Sequence, residues 1–442
     1  MSQYLLFESD TIDQPAAADP IERLSWCSLR IRIGHQFPSK VWDKTLQCER
    51  NNLYLPIFSV AEWLVQNWWS LFNELCPTEK TPAADAGGAK LNWIKRHCLR
   101  TAGSALMLPA LYLFHDGENL RAEWQKDQQG SLPNMPGEFV ADGAEQLETN
   151  ATQECLANFI NDCLQRVRQI NDGRVNQLAE HWRAIQGADV EERQFCVLAG
   201  RMGIDPYDET EMTEKLAQFL EQEIVCPDDP LVRDLTEVAR PDSIEEQWSW
   251  LNNVATELGL EPNPRDHSLD IPSRGISPSA FAYELARRVR AWANLSRDAP
   301  LDSLEKVAAA VTKKTLRFEN RNHVPGQGIR AIVGRSAEDI VCAGPASPRE
   351  HSQRFLMARG LYHAIVTTQD SPRLVTNAFS WDQKASRAFA AELLAPRWAL
   401  AERISIAGAD AVAIELLSRE FQASTMVIEN QLENAGILIS SE

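Results

Sequence analysis

The hydrophobic positions of this chain change period several times, and each change marks an element. SLRIRIG (28–34) alternates apolar and polar residues and predicts a strand. SVAEWLVQNWWSLFNEL (59–75) carries a helical stripe, with Ser59 and Glu62 spaced as a capping box and Phe58 placed to staple onto Trp63. Trp63, Trp68 and Trp69 cannot share one face of one helix, and burial in the core is the expected use of that helix. ALMLPALYLFHDGENLRAEW (105–124) predicts a hairpin turning at Asp116-Gly117. Helical periods follow in ATQECLANFINDCLQRVRQI (151–170) and in ERQFCVLAGRMGIDPYD, which stops at Gly203. QWSWLNNVATELGLEP repeats that stop 56 residues later.

EPNPRDHSLDIPSRGISPS (261–279) breaks every period and predicts a domain boundary. Beyond it, Ser277 and Pro278 read as the N-cap and first residue of a helix whose stripe is Phe281, Leu285, Val289 and Trp292. Leu304, Val307, Ala308 and Val311 mark a second helix. GIRAIVG (328–334) and DIVCAG (339–344) read as short strands. Ser347-Pro348-Arg349-Glu350 places a helix start near Pro348, and Ser380 to Gln383 reads as a capping box for a helix that Pro396 ends. The pattern predicts an α+β, mostly helical multidomain chain. Its parts are an N-terminal α/β domain (1–130, with seven of the 13 tryptophans), an acidic helical domain (131–272) and a C-terminal domain of a small sheet plus helices (273–442).

Charge sharpens this picture. The net charge is −18, and residues 131–277 alone carry 11 Lys/Arg against 29 Asp/Glu, so the flanks cancel. Such a field repels nucleic acid and membrane surfaces and suits a basic protein partner. No run of 18 apolar residues exists to span a membrane, and the start MSQYLLFESD lacks the regions of a signal peptide. Nine scattered cysteines without a C-x-x-C pair fit reduced thiols, so a cytoplasmic location is expected.

The chemistry concentrates in RFLMARGLYHAIV (354–366). A zinc-peptidase helix reads His-Glu-x-x-His, two imidazoles facing one way with a general base beside the first. Here the spelling is Arg359-Gly360-Leu361-Tyr362-His363. A guanidinium has no lone pair to give, and Gly360 has no side chain. His351 stands 12 residues before His363, roughly 18 Å along a helix. Cys342, on what reads as an edge strand, is not expected to face inward.

YELARRVRAWANL (283–295), RFLMARGLYHAI, KASRAFAAELLAP (384–396) and LLSREFQASTMVIENQLENAGI (416–437) together resemble the ImmA/IrrE-type zinc metallopeptidase-like family over residues 280–438. The resemblance implies a zincin-like domain: a small sheet whose edge strand can hold a peptide, a ligand-bearing helix, and a second helix whose acidic residue maps to Asp382. Arg359, Gly360, His363 and Asp382 are thus the positions of a degenerate site. No catalytic residue, metal or cofactor is expected there, and Arg359 is expected to pair with Asp382 where zinc would sit.

The function expected is that of a catalytically degenerate protein-binding or regulatory component. The resemblance places it in bacterial stress response or defence against phage and mobile elements. The partner expected is another protein, basic or presenting an extended segment, with no membrane or nucleic acid. One alternative is an active metal-dependent endopeptidase with a rebuilt site that cleaves a regulatory protein. A second is a DNA-binding regulator, from the helix-turn-helix beat of AIELLSREFQASTMVIENQLENAG (413–436). Against that stands the single basic residue of 415–442, Arg419.

Overall fold

The computed structural model describes residues 4–12, 17–78, 88–103, 105–128, 135–222, 226–260, 269–274, 277–321, 323–326, 328–347, 349–367, 371–404 and 408–439. The chain is α+β, with 48% helix and 19% strand. It divides into two compact units, residues 1–222 and 223–442, where the sequence reading divides it at 130/131 and 272/273. The acidic segment is shared between them. Helix Thr149–Val167 packs on strand Leu5–Thr11, whereas helix Pro230–Thr236 packs on strand Arg373–Thr376. Residues 261–268, 275 and 276 of the expected boundary lie outside the described residues.

In the first unit, strand Trp26–Ile33 lies between Leu5–Thr11 and Leu53–Pro56, antiparallel to both. The alternation read at 28–34 is that of a half-buried strand, with Cys27, Leu29, Ile31 and Ile33 inward. Phe7 meets Phe159 of helix 149–167 edge to face, with ring centroids 5.2 Å apart. The hairpin forms from Ala110–His115 and Leu120–Gln125. Asp116 Oδ1 accepts from the amides of Glu118 and Asn119, and Gly117 takes a φ of +99° that glycine tolerates best.

The expected helix 59–75 is two helices, Phe58–Gln66 and Trp68–Asn73, broken at Asn67. Ile57 is the cap and Ser59 lies inside the first turn, so the capping box does not form. The break re-aims the rings: Trp63 and Trp68 are buried and Trp69 is half-buried. The left-handed Gly203 ends helix Val190–Arg201 as expected.

The second unit is built on a four-stranded sheet in the order Thr315–Asn320, Asp339–Gly344, Ile329–Arg335, Arg373–Thr376. The first two run parallel and the remaining pairs antiparallel. Strand 339–344 is therefore interior, which corrects its reading as an edge. Strands 315–320 and 373–376 carry no sequence signal: TLRFEN is short and charged, and RLVT is buried at every position. Helix Glu350–Val366 lies on the sheet, and Trp381–Leu394 packs against it and against Pro278–Trp292. Ser277 caps the last of these, accepting from the Ala280 amide at 3.3 Å. Helix 350–366 starts with Arg349 as its cap; Pro348 lies outside the described residues. The helices Ala411–Phe421 and Thr425–Asn434 close a small cluster of their own around Leu400, Phe421 and Ile428. Among the described residues no helix is long and apolar enough to cross a membrane.

Candidate functional site

From Met357 to Val366 helix 350–366 is buried on all sides, so every side chain there must be matched by protein. Gly360 faces the sheet. A Cβ at this position would stand 3.3 Å from Val333 Cγ2 and 3.4 Å from Cys342 Sγ. The glycine lets the helix lie close to the sheet at this point. Cys342 faces inward here, contrary to expectation, because its strand is interior and its side chain meets the helix. Burial pushes its thiol up to about 12, against the opposing charge of Arg359, so it stays protonated.

Arg359 is only 5% exposed. Its Nε donates to Ser386 Oγ at 3.0 Å, and its Nη2 donates to Gln383 Oε1 at 2.7 Å and to the Thr376 carbonyl at 2.9 Å. All its hydrogen-bond acceptors are neutral. Burial first, and then the charges of Arg387 and Arg330, hold its pKa well below the usual arginine value. The expected pair with Asp382 does not form. Residues 383 and 386 share one face of helix 381–394, and Asp382 stands about 100° round from Gln383.

Asp382 is instead held by other groups. Its Oδ1 accepts from the Tyr362 hydroxyl at 3.0 Å and from Arg274 Nη2 at 2.9 Å, and its Oδ2 accepts from Arg373 Nη2 at 3.2 Å. Arg373 also forks onto Asp234, Nε to Oδ2 at 2.7 Å and Nη2 to Oδ1 at 3.0 Å. Burial would raise the Asp382 carboxyl, but Arg373 and Arg274 outweigh it and bring the pKa down to about 2. The stability this provides is complete above the ordinary value of 3.8 and is lost as pH falls from there through about 2. Asp382→Asn is expected to flatten that part of the acid-unfolding profile. An unchanged slope in far-UV dichroism against pH would remove Asp382 from the account.

Gln383 also departs from its expected role. Ser380 is the N-cap of its helix without a side-chain bond, and Gln383 does not complete a capping box. Its Oε1 accepts from the Thr376 amide at 3.0 Å and its Nε2 donates to the Leu374 carbonyl at 2.7 Å. The carboxamide thus pairs with strand 373–376 as a peptide group of a further strand would. Asp234 Oδ2 accepts the Leu374 amide at 2.9 Å. This edge, which lies beside Arg359 and Asp382, is closed by the chain's own side chains.

His363 is 1% exposed, and neither ring nitrogen has a hydrogen-bond partner among the described residues. Burial, then the Arg373 charge, hold its pKa well below the ordinary histidine value, so the imidazole is neutral. A buried polar group left unpaired costs about 1–3 kcal/mol. His363→Leu, close to it in volume, is therefore expected to preserve or raise stability, and a fall in thermal midpoint would show that the ring has a partner. Among the described residues no three His, Cys, Asp or Glu side chains are grouped to hold a metal.

Of the site residues read from the sequence, Asp382 bonds Tyr362 and Arg373, His363 lies against the Tyr362 ring, Arg359 joins that cluster only at one remove, through Gln383 and its 3.4 Å donation to Asp234, and Gly360 contacts the sheet. Sequence reasoning missed Asp234, Arg274, Arg373, Tyr362, Gln383 and Ser386. The one trace was Asp234, a carboxylate amid Leu231, Val232 and Leu235 on a buried helix face. No family model and no curated protein matches the chain.

Proposed function

We propose that this chain is a catalytically degenerate ImmA/IrrE-like protein that acts in the cytoplasm by binding another protein, in bacterial stress response or defence against mobile elements. The observation that carries the reading is Arg359, buried at the first ligand position and satisfied by three neutral acceptors, with Gly360 packed against the sheet beside it. A guanidinium cannot ligate a metal, and a glycine cannot activate water. The partner is a protein with a basic surface, which the excess of carboxylates in 131–277 attracts. The nine free cysteines suit a reducing compartment. DNA reading by the last two helices is not favoured, because Arg419 is the single basic residue of 415–442.

The test is co-purification of the full chain from cells that express it, followed by incubation of the captured complex with added zinc. The partner is expected to remain intact and to dissociate at raised salt. New partner termini that vanish with His363→Ala would establish the endopeptidase reading instead.

A further inference from the structure

The sheet of the second unit has one closed edge and one open one. At the open edge, strand 315–320 pairs with strand 339–344 on one side only. The Thr315 amide donates to the Glu338 carbonyl and the Arg321 amide to the Gly344 carbonyl. Backbone groups alternate in direction along a strand, so those of 315, 317, 319 and 321 face the sheet. The amides and carbonyls of Leu316, Phe318 and Asn320 face outward, and none has a hydrogen-bond partner among the described residues. An edge of this kind is a template for another strand.

The side chains select which strand fits. On the solvent-facing side stand Arg317 and Glu319, joined at 2.9 Å. On the other side Leu316 is buried and Phe318 only partly so, packed at the margin of the core. We infer that this edge pairs, antiparallel and across a two-fold axis at Phe318, with the same edge of a second copy of the chain.

In that register Phe318 faces Phe318 of the copy, Leu316 faces Asn320, and each of these pairs exchanges two backbone hydrogen bonds. Arg317 then stands opposite Glu319 on both sides of the axis, a cross-strand arrangement that opposite charges stabilise. A shift of two residues one way sets Arg317 against Arg317, and the other way sets Glu319 against Glu319. Both neighbouring registers are penalised, so the charges specify one pairing. The partly buried Phe318 rings meet across the axis, and the two sheets become one continuous sheet. This inference does not depend on the function proposed above, since a catalytic chain would carry the same edge.

The experiment is sedimentation of the full chain and two charge variants, each checked for native dichroism. The unmodified chain is expected to dimerise. Glu319→Arg places arginines opposite each other, Arg317→Glu places glutamates opposite each other, and each variant alone is expected to lose the dimer. Mixed together, the two variants restore both opposite-charge pairs and are expected to form a heterodimer. A chain that is monomeric at all concentrations, a dimer indifferent to either variant, or a mixture that stays monomeric would overturn the inference.

Discussion

Arg373→Met is expected to lower the stability of the 350–394 region by about 3–5 kcal/mol, the loss seen when one partner of a buried ion pair is removed. Arg373 is 8% exposed and Asp234 1%, and without the guanidinium Asp234 keeps, among the described residues, the Leu374 amide and the weak donation of Gln383 Nε2 at 3.4 Å. Asp382 retains Arg274 and Tyr362, so the stranded charge is Asp234. Amide-exchange protection of peptides within 350–394 reads the effect locally, which matters in a chain of two units. Adding Asp234→Asn to Arg373→Met is expected to return part of the loss, because it removes the uncompensated charge. If Arg373→Met alone leaves protection unchanged, the pair with Asp234 does not hold this sheet edge to helix 230–236.

Rewriting the helix as His-Glu-x-x-His, by Arg359→His with Gly360→Glu, is expected to destabilise the unit by at least about 4 kcal/mol and to create no zinc site. The added Cβ alone would stand 3.3 Å from Val333 and 3.4 Å from Cys342, so the rest of a glutamate side chain has to be accommodated between the helix and the sheet. Overpacking of that kind costs about 1–3 kcal/mol, and a carboxyl buried without a partner costs several more. Loss of Arg359 also leaves Ser386, Gln383 and the Thr376 carbonyl without their donor. Gly360→Ala separates the effects: its Cβ is tight but tolerable, and a smaller loss is expected. A double variant as stable as the parent would mean that the helix–sheet contact is not the constraint described.

The parts of the fold legible in the sequence are those set by neighbours along the chain. Ser277 caps its helix because its hydroxyl meets an amide three residues on, at 3.3 Å. Gly203 and Gly259 stop helices because both adopt a positive φ. Asp116-Gly117 turns a hairpin for equally local reasons. The site was legible only as positions. Arg359, Gly360, His363 and Asp382 could be named from spacing, but their partners come from remote segments, Asp234 lying 139 residues from Arg373. Gln383 shows the limit best. Its place after Ser380 fits a capping box, yet a strand too short to leave a pattern, RLVT, offers its amide a pair of backbone partners. The family resemblance, which places 359 and 382 about one ion, together with their opposite charges, suggested Arg359 with Asp382; the helical rotation between Asp382 and Gln383 decided otherwise.

In the reading proposed above, a hydrogen-bonded polar network stands where a zinc peptidase would hold its metal, and zinc titration of the purified full chain is the direct test. Calorimetry with zinc, on the parent and on His363→Ala, is expected to give the same weak, superimposable heats, with no saturable binding lost in the variant. Tight binding of about one zinc per chain that disappears with His363→Ala would contradict the account, because it would make His363 a ligand with partners the described residues do not supply.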